Sequence, residues 1–153
     1  MQRYNINDVL ISTDRFKLFT LLCKPNTINH CIDFLNEEQI TVLNIGKELA
    51  SYVDSLTDYS YLNFDVYDYI TKLFEQNKSK VNNQGNDVLA IYNLGILLEP
   101  SLELNAIQLL KEFSKSASLI IIWENQSDFP DKLNWLTQNH NIFFDFSDAP
   151  LKK

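Results

Sequence analysis

The stretch Ser118 to Trp123, SLIIIW, restricts the fold more than any other in this chain. Its run from Leu119 to Trp123 is far shorter than the ~20 apolar residues that a membrane helix needs. With no polar residue inside that run, neither face of such a strand can be left to solvent, so it belongs in the interior of a sheet covered on both sides. Three further short runs are mostly apolar: KLFTLL (Lys17 to Leu22), the β-branched ITVLNI (Ile40 to Ile45) and VLAIY (Val88 to Tyr92). Stretches of helical periodicity separate them. Such alternation predicts an α/β fold, a three-layer sandwich with a mainly parallel five-stranded sheet.

The helical stretches follow from the spacing of apolar side chains at three and four residues. A short leading helix is expected between Asn5 and Asp14 on Ile6, Val9, Leu10 and Ile11. A second begins after Pro25 and Asn26, from Thr27 onward, on Ile28, Cys31, Ile32, Phe34 and Leu35. Gly46 is read as a turn ahead of a helix on Leu49, Tyr52, Val53 and Leu56. The stretch from Tyr59 to Lys80 is read as helical on Leu62, Val66, Tyr69, Ile70, Leu73 and Phe74. The polar segment Asn77 to Asp87 is read as a loop. Asn105, three residues before Gln108, has capping-box character and starts a helix carrying Ile107, Leu109, Leu110 and Phe113. A short helix near Pro130 is expected to bury Leu133, Trp135 and Leu136, and NIFFDF (Asn141 to Phe146) to supply the fifth strand. No repeat or internal boundary interrupts this pattern, so residues 1–153 are expected to form a single domain.

A formal net charge of -7 argues against direct nucleic-acid binding, which needs a basic footprint. Two cysteines, Cys23 and Cys31, in a chain that opens without a basic and then apolar leader point to a reduced, cytoplasmic protein.

In a sheet of this kind ligands bind beyond the carboxyl ends of the strands, so the loop after the first strand is the first candidate site. A phosphate-binding loop, GxxxxGK[ST], works because its glycines let backbone N–H groups converge on phosphate while the lysine adds charge and the hydroxyl holds magnesium. Laid over Cys23, Lys24, Pro25, Asn26, Thr27, Ile28, Asn29 and His30, the pattern loses both glycines (Cys23, Ile28), its lysine (Asn29) and its hydroxyl (His30). A β-branched residue such as Ile28 disfavours the positive φ that glycine allows. The acid that ends the partner strand and positions magnesium in such enzymes is replaced by Tyr92, followed by Asn93. Two independent losses predict a vestigial site without catalytic residues or a cofactor.

The run from Leu89 to Trp123, LAIYNLGILLEPSLELNAIQLLKEFSKSASLIIIW, resembles the corresponding region of BrxF, the small P-loop protein of type 3 BREX phage-defence systems. Asn93, Ile96, Leu97, Glu99-Pro100, Leu102, Leu109-Leu110, Ser114 and Trp123 carry the resemblance, and the first two strand–helix units fall in the family's order. The resemblance implies a P-loop NTPase-like fold and a component of a prokaryotic anti-phage assembly. Its partners would be proteins, such as a larger ATPase or a DNA-modifying subunit, with a homo-oligomer also open. The departures at Cys23, Ile28, Asn29, His30, Tyr92 and Gly95 fall on the positions that do the chemistry.

Two other functional classes stay open on the sequence. One is an anion or nucleotide sensor using Lys24, Thr27, His30 and the helix start without hydrolysis. The other is an acidic inhibitor or DNA mimic. Cys23, His30 and Cys31, with His140 as a remote fourth, match no standard zinc spacing, so no metal is expected and Cys31 reads as a buried core thiol. Asp54, Asp58, Asp65 and Asp68, interleaved with Tyr52, Tyr59, Tyr61, Tyr67 and Tyr69, form either a solvated face or a partner-binding one. Trp123 and Trp135 are read as core.

Overall fold

The structure, a computed structural model, describes residues 6–24, 26–81, 84–124, 132–136 and 141–147. Four parallel strands form its frame: β1 (Leu18–Leu22), β2 (Val42–Asn44), β4 (Gln84–Tyr92) and β5 (Ser118–Trp123), with β3 (Ser79–Val81) between β2 and β4 in the chain. Their order across the sheet is β1-β5-β4-β2. β3 runs antiparallel to the first half of β4, on the edge that β2 occupies further along. Around this sheet lie α1 (Ile6–Ile11), α2 (Ile28–Glu37), α3 (Ile45–Ser55), α4 (Leu62–Asn77) and α5 (Ala106–Ser116). The result is the expected α/β sandwich with a mainly parallel five-stranded sheet and a P-loop-like arrangement. No helix among the described residues is long and apolar enough to cross a membrane.

Successive strand residues point to opposite faces, and the two faces bury different partners. Leu18, Leu43, Leu89, Ile91, Leu119 and Ile121 pack with α3, α4 and α5. Phe19, Leu21, Val88, Ala90, Ile120 and Ile122 face α1 and α2. All six residues of β5 are buried, as SLIIIW demands. Each fully buried Leu or Ile contributes about 1.5–3 kcal/mol, so the inner strands carry much of the stability.

Four expectations are corrected. The stretch near Pro130 is not a helix where it is described: Lys132–Leu136 is a strand, β6, paired antiparallel with β7 (Asn141–Asp145). Leu133 and Trp135 are two residues apart, the period of a strand, while Leu133 and Leu136 are three apart, so five residues fit either pattern. NIFFDF therefore holds a strand, but in a separate two-stranded sheet; Leu133 and Phe144 of that sheet, with Phe146 just beyond it, join Trp123 in the first core. The fifth strand of the main sheet is instead β3, inside the polar segment read as a loop. A polar strand is tolerated at an edge, and Lys80 lies opposite Asp87 with their charged groups 3.7 Å apart. Finally, Gly46 makes no turn; β2 passes straight into α3, and Gly46 is the second residue of that helix. Trp123 is core, at 4% exposure.

α1 is held to the sheet by distant residues. The Ser118 hydroxyl donates to the Val9 carbonyl at 2.7 Å, and the Asn86 side-chain amide donates to the Ser12 carbonyl at 2.8 Å. Gly85 sits directly against α1 with φ of 75°, and a Cβ there would fall 2.7 Å from the Leu10 carbonyl oxygen. Gly85→Ala combines a left-handed backbone with a clash against main chain. It is expected to cost about 2 kcal/mol, read as a lower urea midpoint with an unchanged m-value.

Candidate functional site

The carboxyl ends of the parallel strands share one edge of the sheet. Leu22 lies opposite Trp123, and Asn44 opposite Tyr92. β5 stands between β1 and β4, so the ends of those two strands are about 10 Å apart, two inter-strand spacings. The two vestigial elements read from the sequence are thus on the same edge, where a nucleotide and its metal would meet.

The first-strand loop is built differently from a phosphate cradle. The Cys23 N–H donates to the Trp123 carbonyl at 2.9 Å, which continues the sheet one residue past β1. Cys23 and Cys31 are joined by a disulfide, with the two residues 6% and 0% exposed. This overturns the expectation of reduced thiols: the core position of Cys31 is as expected, but its sulfur is bonded. The bridge ties the end of β1 to the first turn of α2 and closes the loop over its own base. Within the loop Lys24 acts as the acceptor, its carbonyl taking the Thr27 N–H at 3.1 Å and the Thr27 hydroxyl at 2.6 Å. The His30 N–H turns back to the Thr27 carbonyl at 3.0 Å. Amides that would point at a phosphate in a glycine-rich loop are here directed to the loop's own oxygens.

The one left-handed residue described in the loop is Asn26, with φ of 69°. Ile28 opens α2 and packs against the second core. Its backbone is helical, and its side chain closes the space a glycine would leave. Lys24, Asn26, Asn29 and His30 are exposed. Pro25 and His140 lie outside the described residues. Among the described residues no group of three His, Cys, Asp or Glu side chains could hold a metal ion.

At the end of β4, Tyr92 packs on the second core, and Asn93 takes a left-handed backbone with φ of 60°. Its side-chain amide donates to Asn44 Oδ1 at 2.8 Å, and the same oxygen accepts the Lys47 N–H at 3.0 Å as the N-cap of α3. A Cβ on Gly46 would fall 2.7 Å from Asn93 Cγ, so that glycine makes room for the contact. Asn44, Gly46 and Asn93 form a strut that locks the ends of β2 and β4 to the start of α3. The position that holds a magnesium-positioning acid in an active enzyme is next to a structural joint. Asn93→Ala is expected to cost about 1–2 kcal/mol, from a lost hydrogen bond and an alanine in the left-handed region. Asn93→Gly, which keeps the backbone comfortable, should lose less; thermal melts of the two variants separate the contributions.

No family model, curated protein or solved structure matches this chain.

A second candidate surface lies at the junction of α3 and α4. Tyr52 and Tyr69 stack with ring centres 4.0 Å apart and join the two helices. Burial first, and then the charges of Asp65 and Asp68, push the Tyr52 hydroxyl above the ordinary tyrosine range. Tyr67 also packs against the first core. Tyr59, Tyr61 and Phe64 instead turn outward, at 54%, 66% and 65% exposure. Phe64 was missed in the sequence; the signal was its place three residues after Tyr61 and off the Leu62, Val66, Ile70 stripe that faces the core. Asp58 accepts from both the Ser60 N–H at 2.8 Å and the Ser60 hydroxyl at 2.6 Å, and these bonds lower its carboxyl below the usual value. Any stability that this turn adds is present above the unfolded carboxylate value and is lost as pH falls through the lowered folded one.

Proposed function

We propose that this chain is a non-catalytic P-loop-like domain that acts through protein association, as a cytoplasmic component of a prokaryotic anti-phage system of the BREX type. Its partners would be a larger ATPase or a DNA-modifying subunit, with self-assembly as a further option. The observation that carries the loss of catalysis is the Cys23–Cys31 bridge, which occupies the base of the loop that would have to open around a phosphate. The structural use of Asn93 supports it from the partner strand. The resemblance over Leu89 to Trp123 is what motivates the defence setting. In a reducing cytoplasm the cysteine pair would exchange between disulfide and dithiol, so the oxidised and reduced forms both need testing.

The DNA-mimic alternative is disfavoured by the mixed charge of the surface. Arg15 and Lys111 each lie 5.0 Å from the centre of the Phe16 ring, and Lys115 5.8 Å. Gathering three cations around one ring is the opposite of a carboxylate array that imitates phosphates.

Calorimetry of the purified protein with magnesium-ATP and magnesium-GTP, each with and without reductant, tests the reading. No heat at millimolar nucleotide and no phosphate release are expected. Turnover abolished by loop substitutions would refute it. Heat without turnover, lost in Lys24→Ala or His30→Ala, would select the nucleotide- or anion-sensing alternative.

A further inference from the structure

Three of the four large hydrophobic side chains that stand exposed among the described residues, Tyr59, Tyr61 and Phe64, fall within one short turn-and-helix segment. The Tyr59 hydroxyl donates to the Val53 carbonyl at 3.3 Å, which fixes the ring where it stands. Clustered exposed aromatics of this kind mark interaction surfaces rather than ordinary solvent-facing positions. The surrounding charge is predominantly negative. From Glu48 to Thr71 the chain carries Glu48, Asp54, Asp58, Asp65 and Asp68 and neither lysine nor arginine; Lys47 and Lys72 bound this stretch, and Lys72, one turn beyond Asp68 on the same side of α4, is a cation at the far end of the face. Asp65 and Asp68 lie one helical turn beyond Tyr61 and Phe64, which places the carboxylates beside the rings.

We infer that this face of α4 and the turn before it docks an arginine-bearing basic segment of a partner protein. The chemistry that fits is specific. A guanidinium stacks on an aromatic face and pairs with a carboxylate through its flat fork of N–H donors, and lysine does the first less well and the second only as a point charge. Asp65 and Asp68 are three residues apart on α4, so a cation entering the patch meets both carboxylates. The inference rests on the association reading above and supplies the chemistry of the partner.

The test uses a short fluorescein-labelled peptide of alternating arginine and glycine, with an alternating lysine–glycine peptide for comparison, read by fluorescence anisotropy on the whole chain. The arginine peptide is expected to bind more tightly than the lysine peptide. Tyr61→Ser with Phe64→Ser, which leaves the charge unchanged, should weaken binding at least about tenfold. Asp65→Asn with Asp68→Asn should do the same. Asp33→Asn with Glu37→Gln, an equal change of charge on α2, should weaken it far less. Far-UV circular dichroism confirms that each variant is folded. Absence of binding, equal loss in the α2 variant, or an unaffected aromatic variant overturns the inference. Self-association in sedimentation that the Tyr61/Phe64 variant abolishes also overturns it, by making a second copy the occupant. Nucleotide calorimetry reads the other edge of the molecule, so a silent peptide with a silent nucleotide removes this inference alone, and nucleotide turnover with intact peptide binding removes only the non-catalytic reading.

Discussion

Phe74→Ala is expected to destabilise the protein by about 3–5 kcal/mol, the largest effect of any single substitution proposed for this chain. Phe74 is fully buried in the last turns of α4 and meets Phe113 of α5 edge to face, with ring centres 5.0 Å apart and planes at 62°. Truncation removes the buried ring, forfeits the aromatic contact between two helices, and leaves a void whose walls are helices already fixed to the sheet. Such walls collapse poorly, which puts the cost in the upper part of the usual range. Urea unfolding should show a lower midpoint at constant m-value. Phe64→Ala in the same helix supplies the contrast. At 65% exposure its ring buries little, and the change should stay within about 0.5 kcal/mol. A similar loss at both sites would mean that the α4 face assigned to solvent is buried.

Reduction of the Cys23–Cys31 bridge is expected to lower stability by about 2.5 kcal/mol, the chain-entropy value for a loop of this length. The exchange is balanced: two reductant thiols become one disulfide as the two cysteine thiols form. Cys23→Ala with Cys31→Ala should reproduce the effect without reductant and should itself be insensitive to reductant. The loss should also be local in its dynamics, because the loop amides are held by Lys24 and Thr27 carbonyls whose positions depend on the bridge. Hydrogen exchange should therefore quicken at Thr27 and His30 more than in β4 or β5. Unfolding curves that coincide with and without reductant would show that the bridge contributes nothing to the folded state.

The sheet was legible because its strands are short, apolar and separated by helical periods, and a residue such as Ile121 has nowhere to go but an interior strand. The Asn105–Gln108 start of α5 was legible for a local reason, and both the Gln108 N–H to Asn105 Oδ1 bond at 3.1 Å and the reciprocal side-chain bond at 3.3 Å are formed. β3 was not legible, since an edge strand needs only pairing on one side and can be as polar as Ser79 and Lys80. β6 was missed because Lys132 to Leu136 is too short to separate a period of two from one of three or four. At the site, the loss of glycine, lysine and acid could be read directly from Cys23, Ile28, Asn29 and Tyr92. Two features could not. The Cys23–Cys31 bond depends on a chain reversal that brings residues eight apart into contact. The Asn44–Gly46–Asn93 strut joins positions separated by 49 residues at the Asn44–Asn93 contact, and no local pattern announces such a partner.

The attachment of α1 has a consequence for how the chain is made. Its anchors, Gly85, Asn86 and Ser118, are all synthesised long after it, and the Val9–Ser118 contact spans 109 residues. At about 5–20 residues per second a ribosome needs roughly 5–20 s to cover that distance. During that interval Val9 and Leu10 have no sheet to cover them, and the helix is too short to persist alone. The opening segment of this fold is therefore among the last to settle, and a newly made chain offers its N-terminal apolar face to chaperones before it offers it to its own core.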